Sequence, residues 1–281
     1  MPAYPRLSRP KEASTGRRYR ILAASGPFTT TKALNFKPFE VLVKAVIREA
    51  PDVFIVGGPF LDEGDARLAT VSTGFGILFN ELFMKHLNTI PARTQVVVVP
   101  GLQDATSDYP VLPQPPLSVG SYPKNPNILF APNPAVVSID GGAVTLGMTS
   151  VDVIKHISKH FVSGGHTDRV GCMCQALVEQ RSFYPLQPTD ESVGMEYSKL
   201  ASMYFPLYTP DVLLLPSDQN TFAKKVVLGC EEGMEAETDK EKQTACCVNP
   251  GRVARGVSVG KFALIEVNAG GDVAKVEIYH L

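Results

Sequence analysis

The segment Gln95-Val-Val-Val-Val99 constrains this chain most, because four consecutive β-branched residues without polar alternation suit a strand buried on both faces. Such a strand needs a covering layer on each side, and the residues before it supply the pattern. Residues 19–25 are a short apolar run ended by Gly26-Pro27. Residues 37–50 carry Phe39, Leu42, Val43, Val46, Ile47 and Ala50 at helical spacing, with Pro38 in the first turn. A second apolar run, 52–58, precedes a loop, and a second amphipathic helix places Leu78, Phe79, Leu82, Phe83, Leu87 and Ile90 on one side before Pro91 stops it. The alternation strand, helix, strand, helix, strand predicts an α/β layered fold whose helices cover a largely parallel sheet. In such a fold the functional loops lie at the carboxyl ends of the strands, here residues 25–31, 57–65 and 100–109.

The rest of the chain is less regular. Residues 110–126 are a proline-rich excursion, and 127–148 read as short strands turned at Asp140-Gly141-Gly142. Two helices, 151–161 and 167–181, precede a buried strand at 211–215. Runs 262–267 and 273–279 around 268–272 form a closing hairpin. Residues 1–18, with Arg6, Arg9, Lys11, Arg17 and Arg18, are expected to be a flexible basic tail, and 231–243, acidic and without an apolar stripe, a disordered surface insertion. That leaves 19–281 as one domain, where 281 residues at roughly 150 per domain allow one large domain or two small ones.

Composition excludes several functions. Lys and Arg number 27 against 28 Asp and Glu, so the chain lacks the basic excess of a protein living on phosphate contacts. No stretch approaches the roughly eighteen apolar residues of a membrane helix, and no apolar signal core opens the chain. We therefore expect a soluble, intracellular protein without membrane contact, with its five cysteines, an odd number, reduced.

Sites of known chemistry fail one by one. Gly256-Val-Ser-Val-Gly260-Lys261 resembles a phosphate loop, but its glycine spacing is one residue short and Phe262 stands where Ser or Thr would hold magnesium. Gly74-Phe-Gly76 lacks the third glycine of a dinucleotide fingerprint. His156 and His160 are four apart on a helix, a spacing open to zinc, yet Val153, Ile154, Ile157 and Phe161 mark the core face and place both histidines with Lys155 and Lys159 on a solvated one. Cys172 and Cys174 diverge by two helical steps, with Cys174 on the apolar face. Cys246-Cys247 adjoins the acidic stretch, where zinc binding is the minor reading.

Two strand-end loops carry a resemblance. Val56-Gly-Gly58-Pro59-Phe60-Leu61-Asp62 and Val99-Pro100-Gly101-Leu102-Gln103-Asp104 are similar to the calcineurin-like metallophosphoesterase motifs Gly-Asp-x-x-Asp and Gly-Asn-His-Asp. That family is a sandwich of two β-sheets flanked by helices, and its motifs hold two metal ions. Here Pro59 stands at the bridging aspartate and Leu102 and Gln103 at the Asn-His pair. Ser25-Gly26-Pro27 lies in the region of the first Asp-x-His, and Pro216-Ser217-Asp218-Gln219 takes the place of Gly-His-x-His. The resemblance thus implies a degenerate site at Ser25, Pro59, Asp62, Leu102, Gln103, Asp104, Ser217 and Gln219, with no metal or cofactor and no catalysis. Asp62 and Asp104 are read as loop-stabilising residues.

This pattern of loss resembles the B subunits of eukaryotic replicative DNA polymerases, and the alpha type in particular. The matching stretches are Ala24-Ser-Gly-Pro-Phe-Thr-Thr30, residues 51–62, Tyr109-Pro-Val-Leu-Pro-Gln-Pro-Pro116, Gln180-Arg-Ser-Phe-Tyr-Pro-Leu186, residues 209–217 and Cys247-Val-Asn-Pro-Gly-Arg252, in family order. In that family an oligonucleotide-binding-type barrel precedes this domain, so the chain is expected to be a fragment, a shortened product or a divergent form. The resemblance implies a nuclear, non-catalytic scaffold in DNA replication. Its implied partners are the polymerase alpha catalytic subunit, contacted through that subunit's C-terminal region, and primase through the complex; DNA contact is at most indirect. The proline-rich loop and Asn249, Pro250, Gly251 and Arg252 are candidates for partner contact, as irregular and exposed segments, and for Arg252 the capping of a local turn is an equal alternative. The rival readings are a divergent metal-dependent phosphoesterase using Asp62, Asp104, Asp218 and nearby histidines, or a B subunit of another replicative polymerase.

Overall fold

The computed structural model describes residues 16–32, 34–118, 125–162, 164–206, 208–227 and 244–281. The expected acidic insertion and most of the expected basic tail lie outside these residues. In chain order the main strands are β1 (Arg18–Ser25), β2 (Val53–Gly57), β3 (Gln95–Val99), β4 (Ile128–Phe130), β5 (Ala135–Ile139), β6 (Val144–Met148), β7 (Val212–Leu214), β8 (Phe222–Val227), β9 (Thr244–Asn249), β10 (Lys261–Asn268) and β11 (Val273–His280). The main helices are α1 (Lys37–Glu49), α2 (75–87, with a π-helical turn at Asn80–Met84), α3 (Val153–His160) and α4 (Arg169–Glu179).

Six strands form one sheet in the order β11-β10-β1-β2-β3-β4, in which β1 to β4 run parallel and the hairpin β10–β11 adds an antiparallel edge. Five form a second in the order β8-β9-β7-β6-β5, whose three central strands are parallel. The two-residue period of the strands then sorts the core. Ala23, Ile55 and Val97 share one register row and face the second sheet, where Leu146, Val212 and Cys246 form the opposing row. Their neighbours Leu22, Phe54 and Val96 face outward onto α1 and α2, while Leu213 and Cys247 of the second sheet face α3 and α4. The result is four layers, helix, sheet, sheet, helix, which is the arrangement the resemblance implies.

α1 buries Phe39, Leu42, Val43 and Val46, the stripe its spacing marks, with proline at its start. The expected hairpins at 140–142 and 268–272 join β5 to β6 and β10 to β11.

Two differences stand out. Arg17 pairs with Asp52 and Asp140, and Arg18 opens β1 opposite Asn268, so these two basic residues belong to the body rather than to a tail. The sequence pattern leaves β8 and β9 unmarked, yet β9 lies between β7 and β8 inside the second sheet. That placement also settles Cys246 and Cys247. As strand neighbours they point to opposite faces and cannot share a metal ion, and both are buried. Burial pushes the Cys246 thiol up to about 11, and Cys247 is held up by its hydrogen bond to Cys174 and by burial, so both rest as neutral thiols at neutral pH.

Candidate functional site at the strand carboxyl ends

The loops after β1, β2 and β3 meet those after β6, β7 and β9 at one edge of the sandwich, and this is where every residue of the degenerate site falls. On the first sheet the centre is Asp104. Its carboxylate accepts the backbone N–H groups of Phe60, of Leu61 at 3.1 Å and of Gly101 at 2.6 Å, and it is buried. Burial pushes this carboxyl up to about 7 against the opposing pull of the three N–H donors. A side chain holding three loop amides is a brace.

The loops around it are packed backbone to backbone. A Cβ on Gly58 would collide with the Asp104 carboxylate and come within 2.5 Å of the Gly101 nitrogen, so only glycine allows this approach. Asp62 pairs with Asp104 across an isolated bridge and accepts Gly64 N–H at 3.0 Å, a turn role. Pro59 offers no side-chain donor, Gln103 is exposed, and Leu102 packs toward the cluster under α3 and α4. From below, Phe28 and Phe60, which follow β1 and β2, stack with ring centroids 5.4 Å apart and anchor both loops to the helix layer.

On the second sheet Asn249 is the hub. Its Oδ1 accepts Ser217 N–H and Gly251 N–H, both at 2.9 Å, and its Nδ2 faces the carbonyls of Ser217, Gln219 and Asn220 at 3.2 to 3.4 Å. Ser217 is buried and caps Gln219 N–H, and the Gln219 amide donates to Ser158 on α3. The loop expected to be exposed is therefore an inner one: Asn249, Pro250 and Gly251 are buried, and the Arg252 side chain is only 11% exposed. Gly251, at φ 78°, takes a left-handed turn that sends Arg252 inward. The guanidinium donates to Ser25 Oγ at 3.1 Å, to Gly26 O at 3.3 Å and to Asp218 at 3.1 Å, and lies 3.7 Å from Asp152. Asp218 also pairs with Lys155 at 2.9 Å. Burial works against the Asp218 carboxylate, but the Lys155 hydrogen bond and the Arg252 charge outweigh it and hold its pKa below the ordinary value.

Sequence reasoning passed over three buried polar residues. Asp152 caps α3 through Lys155 N–H at 3.0 Å and also accepts Asp218 N–H at 2.7 Å; its position just before an apolar run is an N-cap signal that was legible. Gln114 and Asn133 carry no local signal. Gln114 donates to Gly101 O at 2.9 Å and Asn133 to Ser150 at 2.7 Å, and the two bond to each other, linking the β3 loop to the end of β6. His156 is a correction. It is buried against Tyr184, with Nδ1 3.1 Å from the phenol oxygen, because residues 184–190 cover the face of α3 expected to meet water. His160 stays exposed.

Two metal ions would need several carboxylate and imidazole donors converging on one point. The residues present do not fit: Ser25, Asp104 and Ser217 are bonded to loop backbone, Asp218 is paired with two cations, Pro59 and Leu102 have no side-chain ligand atom, and Gln103 is exposed with no imidazole to offer. Among the described residues no group of three or more His, Cys, Asp or Glu could hold a metal ion.

Curated relatives resemble the chain over most of its length. The B subunit of DNA polymerase alpha from Dictyostelium discoideum is 34% identical over 200 residues, covering 70% of this chain and 31% of that protein. Its Rattus norvegicus counterpart is 31% identical over 251 residues, covering 86% and 38%. The chain thus spans between three and four tenths of these relatives' length. Among solved structures, a Streptococcus pneumoniae TIGR4 protein described as a predicted phosphoesterase aligns over 94% of this chain and 99% of its own, with 10% identity and a TM-score of 0.33. The profile of the DNA polymerase alpha/epsilon B-subunit family matches residues 21–224, and the chain belongs to that family.

Proposed function

We propose that the chain is the phosphoesterase-like body of an alpha-type B subunit, a non-catalytic accessory subunit of the polymerase alpha and primase assembly that acts in the nucleus at initiation of DNA replication. On this reading it binds the C-terminal region of the catalytic subunit, reaches primase through the complex and touches DNA at most indirectly. The observation that carries it is the fate of the strand-end site. Its frame is kept, with loops clamped by Asp104 and Asn249, while the buried polar groups there are engaged in holding the loops and the positions that should donate to metal carry Ser25, Pro59, Leu102, Gln103, Ser217 and Gln219. A frame maintained without donors is suited to presenting a surface. A formal charge of -1 supports a protein partner over phosphate as the principal contact. The alpha-type relatives support the choice of polymerase.

The test is affinity purification of the tagged chain from cells of its source. Recovery of the alpha catalytic subunit together with primase is expected, and a fluorescent fusion should concentrate in nuclei. Recovery of the delta or epsilon catalytic subunit instead, or of no polymerase subunit, contradicts the reading.

A further inference from the structure

The disagreement between the donor set and a two-metal centre leads to a question about charge. The resemblance places cations where the strand ends of the two sheets meet, and in this chain that region holds a nearly buried cation of its own. Arg252 reaches Ser25 and Gly26 at the end of β1 in the first sheet. It reaches Asp218 after β7 and lies beside Asp152 at the start of α3, both on the second-sheet side. A guanidinium is planar, always charged, and carries donors in a fixed fork, so one side chain can bond in several directions at once. A buried cation is tolerated only where acceptors surround it, and here two carboxylates, a hydroxyl and a carbonyl do so. With Lys155 on the far side of Asp218, two cationic side chains face two carboxylates and the cluster is balanced.

We propose that Arg252 is the internal replacement for the metal ions of the phosphoesterase arrangement: its guanidinium clasps the two sheets across the strand ends and leaves no charge for a divalent cation to neutralise. The site is thus closed by the chain itself. Gly251 and Asn249 are the positioning residues of the clasp, since the left-handed turn at one and the amide cap of the other set the direction of Arg252. This holds whichever polymerase the chain serves, so its failure would leave the accessory-subunit reading to the purification experiment above.

Thermal unfolding and calorimetry on the full chain test it. Arg252→Ala is expected to melt roughly 10 °C below the parent, as the change takes the guanidinium from beside the buried Asp152 carboxylate and removes one of the two cations from Asp218. Arg252→Met, which refills volume without charge, should recover little of that loss. Millimolar methylguanidinium should raise the melting temperature of Arg252→Ala by several degrees and leave the parent unchanged. Mn2+ alone should show no calorimetric binding to the parent. Parent-like melting of Arg252→Met would reduce the role to packing and overturn the proposal. So would Mn2+ binding to the parent that is lost in the Asp152→Asn, Asp218→Asn double variant. If Arg252→Ala fails to fold, Arg252→Lys decides: a lysine keeps the charge but not the fork, and an intermediate melting temperature supports the clasp, whereas a parent-like one overturns it.

Discussion

Asp104 Oδ1 accepts the backbone N–H of Leu61 at 3.1 Å, so an aspartate on the loop after β3 holds the loop after β2 from 43 positions away. The same carboxylate holds Gly101 in its own loop, and its burial leaves no free lone pair aimed at solvent. In a phosphoesterase motif an aspartate at this point reads as part of the chemistry. In this chain its bonds are structural, and burial, against the pull of those bonds, sets the acidity of the group.

The Asp104 carboxyl is raised from 3.8 to about 7 by burial, so between those values the folded chain binds a proton that the unfolded chain does not. Stability linked to Asp104 therefore falls as pH rises from about 4 to about 7, by at most ~4 kcal/mol. Urea unfolding of the parent and of Asp104→Asn across this range checks it. The parent's stability relative to the variant should be greatest near the acid end and decline toward pH 7; a constant difference would mean that Asp104 stays ionised when folded.

His156 should show the opposite slope. Burial lowers its pKa below 6.5, outweighing the attraction of Asp190, and Lys159 on the same side also disfavours the imidazolium. The folded chain then binds fewer protons than the unfolded one as pH falls through 6.5, and stability is lost on that acid side. His156→Gln should unfold with a flatter pH dependence below 6.5, and an unchanged slope would contradict the burial of the ring.

Phe83 is the hub of the aromatic layer beneath the site. Its ring centroid lies 4.7 Å from that of Phe39, 5.3 Å from those of Phe36, Phe60 and Phe79, and 5.6 Å from that of Phe28. Phe83→Ala should cost about 3–5 kcal/mol in urea unfolding. The same change should loosen the loops after β1 and β2, read as faster amide exchange at Leu61, because Phe28 and Phe60 lose their common neighbour.

Asn249 separates shape from hydrogen bonding. Asn249→Asp keeps the acceptor for Ser217 and Gly251 but sets a carboxylate oxygen against three carbonyls. We expect Asn249→Asp to be at least as damaging as Asn249→Ala, with both losing about 2–4 kcal/mol. An Asn249→Asp variant as stable as the parent would contradict the assigned amide orientation.

Much of this architecture is legible in sequence where local pattern and burial coincide. The valines of β3, the stripe on α1 and the two glycine turns are read correctly because each element's covering layer is announced by its own spacing. β8 and β9 escape because Phe222 to Val227 is an edge strand carrying the half-buried Lys224 and the exposed Lys225, and Thr244 to Asn249 acquires its meaning only from pairing with β7. His156 is misread because a helical pattern shows which face is apolar but not that a distant loop covers the other. At the site, loss is legible and replacement is not. A proline or leucine where a ligand should stand is evident in the letters, whereas the inward turn of Arg252 depends on Gly251 and on a cap from Asn249 that meets residues 30 positions away.

The central claim is that the strand-end site is a structural joint and not a catalytic centre. Elemental analysis of the purified chain, paired with hydrolysis of a simple phosphodiester in the presence of Mn2+, tests it most directly. The account predicts metal well below one equivalent and no turnover above buffer. Near-stoichiometric manganese, zinc or iron with hydrolysis abolished by Asp104→Asn or Asp218→Asn would contradict it.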